Sequence, residues 1–333
     1  MKHGVIFQKA TTSKPFEPKP VHQDIIKAVN IYHCLTVEQA WTLLGKWSLK
    51  YIRESMKELA NNKYLQRVYA YRNSPSGSTP GIFYLANEGI RYLEEDDIEV
   101  FEHRARLSRN KQRKPKPSIH TLAVNDFLIA ARLLEKDYPD LHLIEFRHEW
   151  EFKRSPIPVR PLRIRGDVLK EEAMHLCPDA WLYFRKGVRR KRVCVFLEVD
   201  LNTENARQIK RKIAAYRELV RKRWNKEEKR FVSVYETLFS DTAVLIAFPT
   251  TSERQRETLR EWARSELKAT KEPGWLCELF VFAAIPHKLD EKTGQPLDSL
   301  CIEHNHVYFD RIWYTPFGKA PKEPFSLLSN LVS

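Results

Sequence analysis

The sequence predicts an α/β protein, α+β overall: a small helical module with a β-hairpin, followed by a larger mixed sheet flanked by helices. Three observations predict it. Residues 23–94 carry helical apolar stripes with two short β-prone runs among them. Residues 120–285 continue in the order α-β-β-β-α-β-α-β, the pattern of a layered sheet-and-helix core. The later strands of that core, Thr242 to Phe248 and Leu279 to Ile285, are apolar throughout, as strands covered on both faces are.

Length and charge bound the rest. The 333 residues suffice for two or three domains of ~100–200 residues each, and an apolar content of 42% can build real cores. The net charge is +14 and the pI about 9.5, which favours nucleic acid as partner over an anionic membrane. No run of about 18 apolar residues occurs, so no membrane span is expected. Met1 to Pro20 lacks the apolar core of a signal peptide, and the cytoplasm is the expected compartment. The five cysteines, Cys34, Cys177, Cys194, Cys277 and Cys301, form no C-x-x-C pair, which supports neither a zinc site nor a disulfide framework. No internal repeat is visible.

In the first module, Ile25, Ile26, Val29 and Tyr32 recur at helical spacing over Gln23 to His33. Thr36-Val37-Glu38-Gln39 is a capping-box signature that opens a short helix ended by Gly45. Ser48 caps a third helix whose apolar face is Leu49, Ile52, Met56 and Leu59. Its other face carries Lys50, Tyr51, Arg53 and Lys57. A strand from Tyr64 to Tyr71, a loop from Asn73 to Gly81, a returning strand Ile82 to Leu85 and a helix Glu88 to Glu94 complete the pattern of a winged helix-turn-helix. In that fold the third helix enters the major groove, so Lys50, Tyr51, Arg53 and Lys57 would face DNA. The alternative is a protein-docking module whose basic face is only solvated.

Arg104 to Ser118 is densely basic, and Pro115 and Pro117 discourage helix at its end. Arg109, Lys111, Arg113 and Lys114 there would neutralise phosphates; the bland alternative is a solubilising tether. Next come a helix from His120 to Leu134 and an alternating strand from Leu143 to Phe152. A loop with Pro156, Pro158 and Pro161 follows. The β-prone runs Asp179 to Phe184 and Val193 to Asp200 flank a basic turn and read as a hairpin. A long basic helix spans Asn205 to Trp224. The strand Thr242 to Phe248, an amphipathic helix Ser252 to Leu267 and the strand Leu279 to Ile285 close the core. Beyond Asp290 the pattern is less regular; Asp298 to Tyr308 and Arg311 to Tyr314 are expected to add an edge strand. His304 and His306 alternate on it without a third ligand, which does not make a metal site.

The hairpin holds the chemistry. Asp179 opens its first strand, and Glu198 and Asp200, two apart, share one face at the end of the second. Three carboxylates converging on a buried hairpin are costly unless something positive neutralises them. A bound Mg²⁺, or Mn²⁺, suits their oxygen ligands. Glu204, Gln208, Lys212 and Tyr216 follow at four-residue spacing, on one side of the next helix. The alternative is a sheet-to-helix salt-bridge network without chemistry.

An Asp after a turn, an acidic pair on the next strand and then a helix resemble the PD-(D/E)xK nuclease core. That family's strand lysine is absent, because the pair here is Glu198-Val199-Asp200; the helix residue Lys212 is the natural replacement. Three features together are similar to the replication-relaxation family of plasmid and mobile-element proteins. They are the N-terminal winged helix, the helix beginning His120-Thr-Leu-Ala-Val-Asn125-Asp126, and the block from Pro178-Asp179 through Glu198-Val199-Asp200 to Lys212-x-x-x-Tyr216. The similarity spans roughly residues 20–285.

The resemblance implies a role in replication or mobilisation, acting on supercoiled double-stranded DNA at a plasmid or mobile-element origin, as a metal-dependent nickase or relaxase-like nuclease. It implies metal ligation by Asp179, Glu198 and Asp200, a water-orienting or charge-stabilising Lys212, and Gln208 and Tyr216 on the metal shell or the phosphate. Asn125 or Asp126 would complete that shell. Hydrolysis and tyrosine transesterification both stay open. The competing reading is a non-catalytic origin-binding or regulatory protein with a degenerate nuclease core. A second copy of the chain, or replication and transfer proteins, are further partners to expect, and a membrane is not. The expected domains are a flexible basic arm at 1–20, the winged helix at 21–103, the basic linker at 104–118, the nuclease-like core at 119–289 and a C-terminal extension at 290–333.

Overall fold

Capping chemistry sets where the first helices begin and end. The computed structural model describes residues 16–69, 81–100, 119–165, 168–187, 191–227, 229–239, 243–289, 296–300, 302, 304–317 and 324–328. The chain divides into two compact units, Met1–Lys116 and Pro117–Ser333. In the first, α1 (Pro20–Tyr32) starts on a proline, whose missing N–H costs nothing there, and buries Ile25, Ile26, Val29 and Tyr32. β1 (Leu35–Thr36) leads into α2 (Val37–Leu44) through the expected capping box. Thr36 Oγ1 accepts from the Gln39 N–H at 3.1 Å, and the Thr36 N–H donates to Gln39 Oε1 at 3.2 Å. Gly45, at φ 61°, ends α2 in the left-handed conformation that glycine adopts most freely.

Ser48 Oγ accepts from the Tyr51 N–H and starts α3 (Leu49–Asn61). This helix buries Ile52, Ser55, Met56 and Leu59, leaves Leu49 half-buried, and exposes Lys50, Tyr51, Arg53 and Lys57. β2 (Leu65–Tyr69) and β3 (Gly81–Leu85) pair antiparallel, and β1 adds to the far side of β3. α4 (Asn87–Glu95) follows. Most of the expected arm, nearly all of the Asn73–Gly81 loop, and the linker with Arg109, Lys111, Arg113 and Lys114 lie outside the described residues.

The second unit opens with α5 (Ile119–Asp137), then β4 (Leu141–His148) and α6 (Glu149–Arg154). The expected strand from Leu143 to Phe152 therefore breaks in the middle. The His148 N–H donates to Glu151 Oε1 at 2.9 Å, and the chain turns into a helix there. The proline-rich stretch is not a plain loop. It forms two ribbons, β5 (Ile157–Val159) with β8 (Met174–Leu176), and β6 (Leu162–Arg165) with β7 (Val168–Glu171). Each has only two strands, so Pro158 sits on an edge, where a missing N–H is tolerated.

β9 (Ala180–Lys186) and β10 (Lys191–Leu197) form the expected hairpin. α7 (Ala206–Val220) follows, and then the short strands β11 (Arg223–Asn225) and β12 (Arg230–Val232), where the sequence suggests continued helix as far as Trp224. α8 (Val234–Phe239), β13 (Ala243–Thr250), α9 (Glu253–Ala269), α10 (Gly274–Cys277) and β14 (Phe280–Ala284) come next. The main sheet has the order β14-β13-β10-β9-β4 and is mixed: β10, β13 and β14 run parallel, while β9 is antiparallel to both its neighbours.

One face of that sheet shares a core with α7 and α9, through Cys194, Phe196, Phe248 and Phe282 against Ile213, Tyr216, Leu259 and Ala263. Toward the C-terminus, β15 (His287–Leu289) pairs with β16 (Pro296–Leu300), and α11 (His304–Phe309) takes the place of the expected strand up to Tyr308. His306 Nδ1 lies 2.6 Å from Asp310 Oδ2, one helical turn away. Tyr308 packs against Phe184, and its O–H donates to the Phe127 carbonyl of α5 at 2.9 Å. The expected edge strand at 311–314 shrinks to bridges, Tyr314 with Phe282 and Trp313 with Phe325.

Candidate active site

Strand parity delivers Glu198 to the α7 side. Cys194 and Phe196 face α7, and Glu198, one step past the end of β10, continues that row. Asp179 stands one step before β9. The register Leu197↔Ala180 extends to place the two carboxylates opposite each other, and the Asp179 N–H donates to the Leu197 carbonyl at 3.2 Å. Asp179 is 5% exposed and Glu198 1%.

α7 supplies the partners of Glu198. The Tyr216 O–H donates to Oε1 at 2.5 Å, and the Lys212 ammonium lies 2.6 Å from Oε2. The same ammonium is 2.6 Å from Glu204 Oε1. Lys212 and Tyr216, four apart, thus work on one carboxylate from one face of the helix. On the other strand, Asp179 Oδ2 accepts from the Val199 N–H at 2.8 Å and from His120 Nε2 at 3.1 Å. His120 Nε2 also lies 2.9 Å from the Val199 carbonyl. Both oxygens are acceptors, so the proton sits on Nε2.

These contacts set the protonation states. Burial pushes Glu198 up to about 7; Lys212 opposes this and Asp179 reinforces it. Burial would also raise Asp179, but the His120 hydrogen bond, Lys212 and the Val199 N–H outweigh it and hold the carboxyl below its ordinary range. Burial works against the charge on His120, yet Asp179, Glu149 and the Val199 carbonyl raise the imidazole to about 9. For Lys212, too, burial loses to its carboxylates, and the ammonium stays charged. Tyr216 is raised well above the ordinary phenol range by burial and by the Glu198 charge, so it is a donor.

Asp200 and Gln208 have partners of their own. β10 ends at Leu197, but pairing with β13 runs on in register, through the Glu198 and Asp200 N–H groups donating to the Ala247 and Pro249 carbonyls, to the Asp200↔Thr250 bridge. Asp200 thus keeps the parity of Glu198, while its oxygens have other partners. Asp200 Oδ1 accepts from the Thr203 and Glu204 N–H groups, and Oδ2 from Gln255 Nε2 at 2.9 Å. Its carboxylate ties the β10–α7 connection to α9. Gln208 is exposed and closes the capping box of α7, its Oε1 accepting from the Asn205 N–H at 2.9 Å. Asn125 Oδ1 pairs with His148 Nε2 at 3.2 Å, and Asp126 is half-buried. Glu204 precedes the helix rather than lying on it. Among the described residues, no group of three or more His, Cys, Asp or Glu side chains is placed to hold a metal ion.

His120 is the residue that sequence reasoning missed. It heads the helix motif on which the family similarity rests, but nothing in that motif points to Asp179, 59 residues away. The replication-relaxation family model matches residues 26–234, well over half of the chain. The chain belongs to the replication-relaxation family. That places it in plasmid or mobile-element replication or mobilisation. The replication-relaxation match takes in α3 of the first unit and every member of the Asp179–Glu198 cluster, and it stops short of β13 and β14. No curated protein matches the chain. No helix among the described residues is long and apolar enough to cross a membrane.

Proposed function

We propose that this replication-relaxation protein binds DNA and nicks it with a divalent ion, Mg²⁺ or Mn²⁺, held by Asp179 and Glu198. The observation that carries the reading is the Lys212 ammonium on Glu198 Oε2, in the field of Asp179. It brings from the helix the cation that a PD-(D/E)xK core has on its strand, where this chain has Asp200. The donor set suits the ion: two buried carboxylates on neighbouring strand ends are hard oxygen ligands, and Mg²⁺ takes one or two such groups while keeping several waters. Bound there, it would supply an acidified water and a polarised phosphate.

The chain's own residues do the rest. Tyr216 fixes the orientation of Glu198. Val199 and His120 fix that of Asp179. Lys212, held between Glu198 and Glu204, offers a fixed positive charge to the non-bridging oxygens, where charge builds in the transition state. A second reading rests on the same contacts. Lys212 and His120 already neutralise the two carboxylates, as they would in a DNA-binding platform without chemistry.

Supercoiled plasmid incubated with the full chain separates the two. Open-circle product that appears with Mg²⁺ or Mn²⁺ and disappears with a chelator supports the nuclease; DNA binding without any nicking leaves the platform.

The first unit is proposed as a winged helix that reads duplex DNA through α3. Lys50, Tyr51, Arg53 and Lys57 are all exposed on the side away from Ile52, Met56 and Leu59. Arg53→Ala with Lys57→Ala is expected to weaken duplex binding by ~1–3 kcal/mol for each side chain that reads a base edge. Unchanged binding in a gel-shift titration, with helicity retained, would assign α3 another task.

A further inference from the structure

We propose that the β11–β12 ribbon is a stacking platform for unpaired DNA bases; this rests on the reading above that the second unit acts on DNA. Trp224 and Phe231 stand directly opposite each other on the two strands. Their rings meet edge to face with centroids 5.2 Å apart. They are 54% and 61% exposed, on a unit that buries most of its large aromatic side chains. A two-stranded ribbon is marginally stable alone in water, and this one is braced from behind. Arg223 reaches Glu218 at 2.6 Å and Glu171 at 3.4 Å, and Lys222 reaches Glu236 at 2.5 Å. The rings are therefore presented to solvent on a ribbon tied to the rest of the unit by ion pairs.

Charge selects the occupant. The residues between the strands, Lys226-Glu227-Glu228-Lys229, are formally neutral, and the basic excess comes from their flanks. Arg221, Lys222, Arg223, Lys226, Lys229 and Arg230 outnumber Glu227 and Glu228 over residues 221–231, with Lys226 and Lys229 exposed. Apolar rings beside lysines suit a ligand with flat apolar faces joined by anions, which is a nucleic-acid strand. Within a duplex the base faces are covered by their neighbours, so the rings can stack only on unpaired bases. Position agrees. Lys212 lies eight residues before Val220, the end of α7, or about 12 Å along the helix axis. The ribbon starts three residues later, at Arg223. The family match runs to residue 234 and includes the whole ribbon.

The test compares full-length wild type with Trp224→Ala/Phe231→Ala and with Trp224→Phe/Phe231→Tyr. Binding to a labelled 20-nucleotide oligothymidylate and to a duplex of equal length is read by anisotropy at one salt concentration, and mass by sedimentation. The alanine pair is expected to lose roughly tenfold or more in single-strand affinity, with duplex affinity within about twofold and mass unchanged. The aromatic pair keeps wild-type affinity, because any flat ring stacks. Equal single-strand affinity in wild type and the alanine pair overturns the ribbon proposal alone. So does a fall in mass, which assigns the rings to self-association. Wild type that binds neither oligonucleotide overturns the DNA reading itself.

Discussion

Glu198→Gln lowers metal-dependent nicking of supercoiled plasmid by at least ~10²-fold and leaves DNA affinity within about twofold, the scale expected when one charged group at a reaction centre is removed. The change is nearly isosteric, so the fit between β10 and α7 persists. Tyr216 still has an oxygen acceptor, and Lys212 keeps Glu204 at 2.6 Å. What goes is the negative charge that holds a cation beside Asp179. A time course of open-circle product, run next to an anisotropy titration, measures both quantities. A variant that nicks at the wild-type rate would remove Glu198 from the chemistry and with it the proposed metal position. Loss of DNA binding along with nicking would point to misfolding, which circular dichroism would show.

The site was legible where one periodicity held throughout. The apolar run Val193 to Leu197 keeps its pleat, so its parity carries Glu198 correctly to the α7 face. The four-residue spacing of Lys212 and Tyr216 likewise puts both on Glu198. Reading failed where a side chain's partners came from outside its strand, or where an element ended without a sharp local signal. Asp200 has the right parity, and its pairing with β13 runs on to Thr250, but its oxygens are taken by the Thr203 and Glu204 N–H groups and by Gln255, partners that strand alternation does not specify. Arg221 to Trp224 continues a basic helical run, because lysine and arginine are good helix formers and no glycine marks the stop. That concealed the ribbon bearing Trp224 and Phe231. Glu149 to Arg154 alternates like a strand, yet the His148–Glu151 capping box makes it a helix.

His120 was illegible for another reason. Its partner Asp179 comes from a strand far along the chain, and no local pattern specifies a contact that only tertiary folding creates. The same limit applied to the first unit in reverse. There, Thr36, Gly45 and Ser48 are local stop and start signals, and the helices followed them.

The charge on His120 makes the stability of the metal-free second unit fall with rising pH. The folded imidazole titrates at about 9, above its ordinary 6.5, because Asp179 and its neighbours overcome the burial penalty. A raised folded value means that the contribution is fully present below about 6.5 and is lost as pH climbs through about 9. At ~1.4 kcal/mol per pH unit the effect is on the order of 3 kcal/mol. For a unit of this size each kcal/mol moves Tm by about 2–4 °C. Asp179 works on the acid side: its depressed value gives stability above the ordinary carboxylate range, lost as pH falls through that range and below. Glu198, raised to about 7, adds a separate decline at lower pH, between its ordinary 4.5 and 7. His120→Gln separates the two. Glutamine keeps an N–H donor for Asp179 but cannot carry a proton's charge, and it leaves the Glu198 step in place. Melting curves in chelator from pH 5 to 10 should show wild type well above the variant at pH 6, with the gap closing between pH 6.5 and 9. Curves that run parallel over that range would mean that His120 is neutral in the fold, and that Asp179 is held by Lys212 and the Val199 N–H alone.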